Sequence, residues 1–318
     1  MSTQVVKPDG SSHWYITSDT EIKPYHSVPY SGKRGSDGET RPTTLRDARK
    51  VNAFPSVTNV LSILHKEFLV AYKINQAILA ALTLPKIDGE SEDSFAQRVV
   101  TDSREHAASA ARLGSRLHEI AAAILIKSKA GLALEGEIVE GRRVEAFQAI
   151  IQELIDWSRP AGYITDAEFS EFYISNPIGY AGTCDGLTWL DSSKPEIAKK
   201  LVDAGYEVNG QPVIAMADIK TRGSDAKTPP VYETDLLQLA AYLHAIPTTP
   251  TLGFHMDTAN TPVANILINT HEKAGKDGVW SADIVIHSRE EIEKAWEAFT
   301  HAHALWCWVK GYNPQSNK

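Results

Sequence analysis

Asp185, Asp218 and Lys220 are the residues whose types and setting suit chemistry. Asp185 stands in Gly179-Tyr180-Ala181-Gly182-Thr183-Cys184-Asp185-Gly186-Leu187. Asp218 and Lys220 close the run Pro212-Val213-Ile214-Ala215-Met216-Ala217-Asp218-Ile219-Lys220-Thr221. Each run is apolar and strand-like and carries one acid. Strand side chains alternate, so Asp218 and Lys220 share a face while Ile219 points into the core. If the two strands pair, both carboxylates converge on one point beside an ammonium. That set suits a hard divalent cation and an attacked phosphate. A cation there lowers the pKa of Lys220 and favours a proton-transfer role. The plainer readings are a strand-end salt bridge for Asp218 and Lys220 and a turn acid for Asp185.

Other residues fall into place around this pair. His118 lies in Leu113-Gly114-Ser115-Arg116-Leu117-His118-Glu119, and helical spacing puts Gly114, Leu117 and His118 on one face. It is either a core histidine or a ligand. His118-Glu119 is not a zinc-protease motif, because position 122 is Ala. Gln238 and Tyr242 are four apart on a helix, either as amphipathic decoration or as supports of a site. Glu168 and Glu171 are three apart on one strand, so at most one faces the site. No phosphate loop, dinucleotide-binding glycine motif or nucleophile elbow is present.

The elements that must position these residues follow from periodicity. Residues 1–55 are rich in Ser, Gly, Pro and Thr and read as an irregular surface arm, with a short strand at 13–17. Arg41, Arg46, Arg49 and Lys50 give its tail a positive charge, as a solvated linker or a phosphate-contacting arm. Helices are expected from 56 towards 82, over 92–129 and over 139–157. From 163 the pattern turns to strands at 163–175, 180–190 and 211–221, with a surface insertion at 194–209. A helix at 233–245, strands at 251–256, 263–269 and 279–287, and a helix at 288–309 complete the order. This is an α/β or α+β chain, a core sheet flanked by helices with a helical N-terminal portion. The division is an arm (1–55) and one domain (56–318), mostly helical over 56–160 and sheet with a C-terminal helix over 161–318.

Composition narrows the partners. The chain has 318 residues, 42% apolar and 23% charged, an ordinary globular balance. It has no apolar run of spanning length and no signal pattern at Met1, so a cytoplasmic protein without membrane contact is expected. Two cysteines, Cys184 and Cys307, cannot build a four-cysteine metal or iron–sulfur site. A net charge of -8 leaves room for a local basic groove, and metal-binding carboxylates themselves add negative charge.

In chain order, Gly114-x3-His118, a strand with Glu171, Gly182-Thr183-x-Asp185, Asp218-Ile219-Lys220-Thr221 and Gln238-x3-Tyr242 resemble the RecB-type branch of the PD-(D/E)xK nuclease superfamily. Single-domain phage or prophage recombination exonucleases look most similar, and Pro55-Ser56-Val57-Thr58-Asn59-Val60-Leu61 resembles their N-terminal segment. The resemblance covers about residues 55–245. It implies a restriction-endonuclease-like central mixed sheet and a Mg2+- or Mn2+-dependent deoxyribonuclease, an exonuclease acting on double-stranded DNA ends in recombination or repair. An endonuclease or an inactive nucleic-acid-binding protein are the alternatives. Asp185, Asp218, the Ile219 carbonyl and His118 become metal ligands. Lys220 activates the attacking water, and Glu171 (or Glu168) is the acid of the preceding strand. Gln238 and Tyr242 steady the site and the DNA backbone. No iron–sulfur cluster is expected. A single-strand annealing protein is a partner by analogy, in a bacterial host cytoplasm if the chain is phage-encoded.

Overall fold

The computed structural model describes residues 13–29, 40–64, 67–125, 138–139, 142–143, 170–224, 226, 228–250, 252, 256–270 and 281–314. Five strands form the central sheet: β8 (Ser170–Asn176), β9 (Tyr180–Leu190), β10 (Val213–Arg222), β11 (Val263–Asn269) and β12 (Ser281–His287). Their order across the sheet is β12-β11-β10-β9-β8. The β10–β11 pair is parallel and the other pairs are antiparallel. This is a mixed α/β fold with a five-stranded mixed sheet.

β10 runs through the middle. Its residues from Ala215 to Ile219 are all buried. A strand covered on both faces needs a near-continuous apolar run, which Val213 to Ala217 supplies. On one face Met216 packs in the core shared with Leu239, Tyr242, Phe299 and Trp306. These come from the helices Glu233–Ala245 and Arg289–Lys310. On the other face Ala215, Ala217 and Ile219 pack with Leu113 and Leu117 of the helix Glu92–Leu125 and with Ile197 and Leu201 of the helix Pro195–Asp203.

The stretch expected to be an irregular surface arm is, where described, built into the fold. β1 (Trp14–Thr17), β2 (Ile22–Pro24) and β5 (Phe54–Pro55) form a three-stranded sheet, and β3 (Ser27–Pro29) pairs with β4 (Thr40–Pro42). Trp14 and Tyr15 are each 2% exposed. Adjacent strand residues point to opposite sides, so the two aromatics are buried against different neighbours. Trp14 lies 6.0 Å from the Trp306 ring, and Tyr15 bonds to Thr183. Two aromatic side chains outweigh the Ser and Gly punctuation that suggested a loop.

Elsewhere the expected order is found with local differences. The helix expected from 139 does not start there: β6 (Ile138–Val139) pairs with β7 (Arg142–Arg143), Val139 opposite Arg142. Residues 126–129, 144–157 and 163–169 lie outside the described residues, as do 251 and 253–255 of the strand expected at 251–256. Leu252 and Met256 are not in a strand. Among the described residues no helix is long and apolar enough to cross a membrane.

Candidate active site

The site lies where β9 and β10 part. Their antiparallel ladder runs from Val213 opposite Leu190 to Ala217 opposite Gly186 and stops there. Beyond it, the Ile219 N–H donates to Asp185 Oδ2 at 2.8 Å. The Asp185 carboxylate takes the place of the next ladder acceptor. In an antiparallel pair the N–H and C=O of one residue point to the same side. The Ile219 carbonyl therefore opens towards Asp185 as well.

Asp218 is 1% exposed. A buried carboxylate requires paired charge and hydrogen bonds. Lys220 Nζ lies 2.7 Å from Asp218 Oδ2, as the shared strand face requires. Asn265 Nδ2 donates to the same oxygen at 3.2 Å. Parallel register sets Asn265 opposite Asp218, which places the two side chains side by side.

The helix Glu233–Ala245 closes the site from above. Lys220 Nζ also donates to Gln238 Oε1 at 3.2 Å, and Gln238 Nε2 donates to Tyr242 Oη at 2.8 Å. An ammonium only donates, so the Gln238 amide must present its oxygen to it. Tyr242 lies on Gly182, where an added Cβ would stand 2.8 Å from Tyr242 Cε1. Gly182 is thus the seat of the ring. Burial, with Asp218 and Asp185 nearby, holds the Tyr242 phenol protonated far above its usual range. Burial acts to lower the Lys220 pKa, but Asp218 and Asp185 outweigh it and hold the ammonium above its ordinary range. A cation held by the carboxylates would act against that rise.

Five of the residues singled out in the sequence are therefore brought together through their side chains: Asp185, Asp218, Lys220, Gln238 and Tyr242. Ile219 joins through its backbone. His118 belongs to the helix Glu92–Leu125, one turn beyond Gly114, whose added Cβ would meet Thr221 Oγ1 at 3.0 Å. The helix therefore passes close to the end of β10. The side chain of His118 lies outside the described residues, as does that of Glu171. The β8–β9 register sets Ser170 opposite Gly186 and Phe172 opposite Cys184, which puts Glu171 level with Asp185. Glu168 lies outside the described residues.

The donor set fits Mg2+ or Mn2+. Two carboxylates and a carbonyl are hard oxygen ligands, and Mg2+ takes one or two carboxylates with water and substrate phosphate completing the shell. Among the described residues no group of three His, Cys, Asp or Glu side chains gathers to hold a metal. The third side chain implied by the resemblance, His118, is outside that set.

Sequence reasoning missed three residues. Asn265 and His287 extend the polar row from Asp218 into the sheet, His287 Nε2 lying 2.8 Å from Asn265 Oδ1. The signal was present: Asn265 interrupts Val263-Ala264-Asn265-Ile266-Leu267-Ile268, a strand buried along its whole length. A fully buried amide there needs a partner. Tyr15 is the third, its hydroxyl 2.9 Å from Thr183 Oγ1, two residues before Asp185. No local pattern links residues 168 apart.

No protein-family model matches the chain, and no curated protein is significantly similar to it.

Proposed function

We propose that the chain is a metal-dependent DNA exonuclease of the RecB-type PD-(D/E)xK class, with a restriction-endonuclease-like sheet, acting at double-stranded ends. The observation that carries this reading is the buried Asp218 carboxylate, bonded to Lys220 at 2.7 Å where β9 and β10 part and Asp185 caps the Ile219 N–H. A structural ion pair has no need of a second carboxylate at a broken ladder.

Asp185, Asp218 and the Ile219 carbonyl would hold a divalent ion, which would supply neutralisation of the phosphodiester charge and activation of water. Lys220 Nζ holds the attacking water or a phosphoryl oxygen by donating to it. Charge developing on that oxygen strengthens the bond, so the interaction favours the transition state over the ground state. Gln238 limits where the flexible lysine can point, and Tyr242, seated on Gly182, limits Gln238. His118 and Glu171 take the ligand and acid roles that the resemblance gives them.

The test is digestion of end-labelled linear duplex beside covalently closed circular DNA, with Mg2+, Mn2+ or EDTA. Metal-dependent loss of the linear DNA alone is expected, absent in Lys220→Ala, and the label's position gives the polarity. Cutting of the circle would make the chain an endonuclease. DNA binding without cleavage of either substrate would leave a binding protein.

A further inference from the structure

We propose that Asn265 and His287 are positioning residues for Asp218, forming a relay that fixes the rotation of its carboxylate for a divalent cation. The inference rests on the proposed metal site and adds residues that the resemblance does not include.

The relay follows from donor and acceptor chemistry. A carboxylate only accepts, so the contact from Asn265 to Asp218 Oδ2 must use the Asn265 amide N–H. The Asn265 carbonyl then faces away, towards β12. There it meets His287 Nε2 at 2.8 Å. A carbonyl accepts, so that nitrogen carries a proton. The order of donation is fixed in one direction: His287 Nε2–H to Asn265 Oδ1, and Asn265 Nδ2–H to Asp218 Oδ2. Burial lowers the His287 pKa and so favours the neutral imidazole.

Three strands place these groups. Asp218 on β10 is opposite Asn265 on β11, and His287 on β12 is opposite Val263, two residues along from the partner of Asn265. Asn265 is 0% exposed and His287 6%. Both side chains are buried and joined in a row to Asp218, so they act through it. A structural reason alone is weak, because an apolar residue in β11 would fill the same place without desolvating an amide. Asp218 Oδ2 receives both Lys220 and Asn265, so turning the carboxylate breaks both bonds together. Partners of this kind, one bond removed from a metal ligand, typically alter metal affinity 10–100-fold when lost.

The experiment titrates the full chain with Mn2+, read by electron paramagnetic resonance of the free ion, with no substrate present. Thermal unfolding is measured alongside. Asn265→Leu keeps the size of the side chain and removes both bonds. It is expected to weaken Mn2+ binding about 10–100-fold. His287→Leu is expected to shift it in the same direction and by less, and His287→Gln, which offers an amide N–H in place of Nε2–H, to restore it. The His287 pair serves as the test if Asn265→Leu fails to fold. Asp218→Asn separates the two levels of argument. If the wild type binds Mn2+ and Asp218→Asn does not, the metal site stands. Unchanged binding in folded Asn265→Leu, or equal binding in the Leu and Gln variants of His287, then overturns the relay alone. Unchanged binding in Asp218→Asn overturns the site and the relay with it.

Discussion

Among the described residues, two of the buried carboxylates paired with cations, Asp47 and Asp218, are held in different ways. Asp47 is 5% exposed and Asp218 is 1% exposed. Asp47 meets the Arg41 guanidinium with both oxygens, at 2.7 and 3.0 Å, and also accepts from the Thr44 hydroxyl and N–H. All of these partners lie within six residues, at the start of the helix Leu45–Val51. Asp218 meets a lysine. The partners around that second pair come from four separate segments: Asp185, Gln238, Asn265 and β10 itself. The planar fork of Arg41 matches a carboxylate edge to edge and keeps its charge at any working pH. Lys220 is a point charge on a flexible stem, which can be re-aimed at a water or phosphate. A closed local pair caps a helix, whereas the proposed site rests on an open pair assembled from a distance.

Exchanging the cations breaks this comparison most sharply. Lys220→Ala and Lys220→Arg are both expected to lower DNA cleavage by about 10²-fold or more, the range for losing one charge-stabilising donor. Full activity in Lys220→Arg, measured by initial rates on linear duplex, would mean that the type of cation is immaterial. Gly182→Ala attacks the support of the site pair from the far side. Its Cβ would stand 2.8 Å from the buried Tyr242 ring, so about 2–3 kcal/mol of stability is expected to be lost in urea unfolding, with a fall in activity as Gln238 shifts.

The structural pair gives the smaller and opposite pattern. Arg41→Ala is expected to cost about 2 kcal/mol in urea unfolding, with cleavage by the folded fraction unchanged. The smallest effect is in acid. The Arg41 fork and the Thr44 bonds hold the Asp47 carboxyl well below its usual pKa of 3.8. A carboxyl depressed in the folded state adds stability above its unfolded pKa, and that stability is lost as pH falls through the folded value. Thermal unfolding followed downwards from about pH 5 should therefore decline less steeply in Asp47→Asn than in the wild type. Parallel slopes would remove Asp47 from the acid response.

The sequence made the strands and the in-strand pair legible, because β9, β10 and β11 are apolar runs with clear ends and a period of 2 fixes Asp218 beside Lys220. The helix spacing of Gln238 and Tyr242 placed both on one face. What periodicity could not supply was register between distant strands. Asn265 reads as one polar residue in an apolar run until the parallel pairing of β10 and β11 sets it opposite Asp218. Gly182 reads only as a member of the Gly182-Thr183-x-Asp185 run until Tyr242 is found upon it. The N-terminal stretch was misread for a similar reason: the partners of Trp14 are Trp306 and Tyr312, near the other end of the chain.

That last arrangement has a consequence in time. Arg49 donates to the carbonyls of Lys310 and Gly311, and the Tyr312 hydroxyl donates to the Ala53 carbonyl. Arg49 and Lys310 are 261 residues apart. At roughly 5–20 residues per second on the ribosome, that separation takes roughly 13–50 s to synthesise. Throughout that interval Trp14 and Val57 have no finished core to enter. β1 gains its Trp306 and Tyr312 neighbours only after the helix Arg289–Lys310 and the turn beyond it have been made.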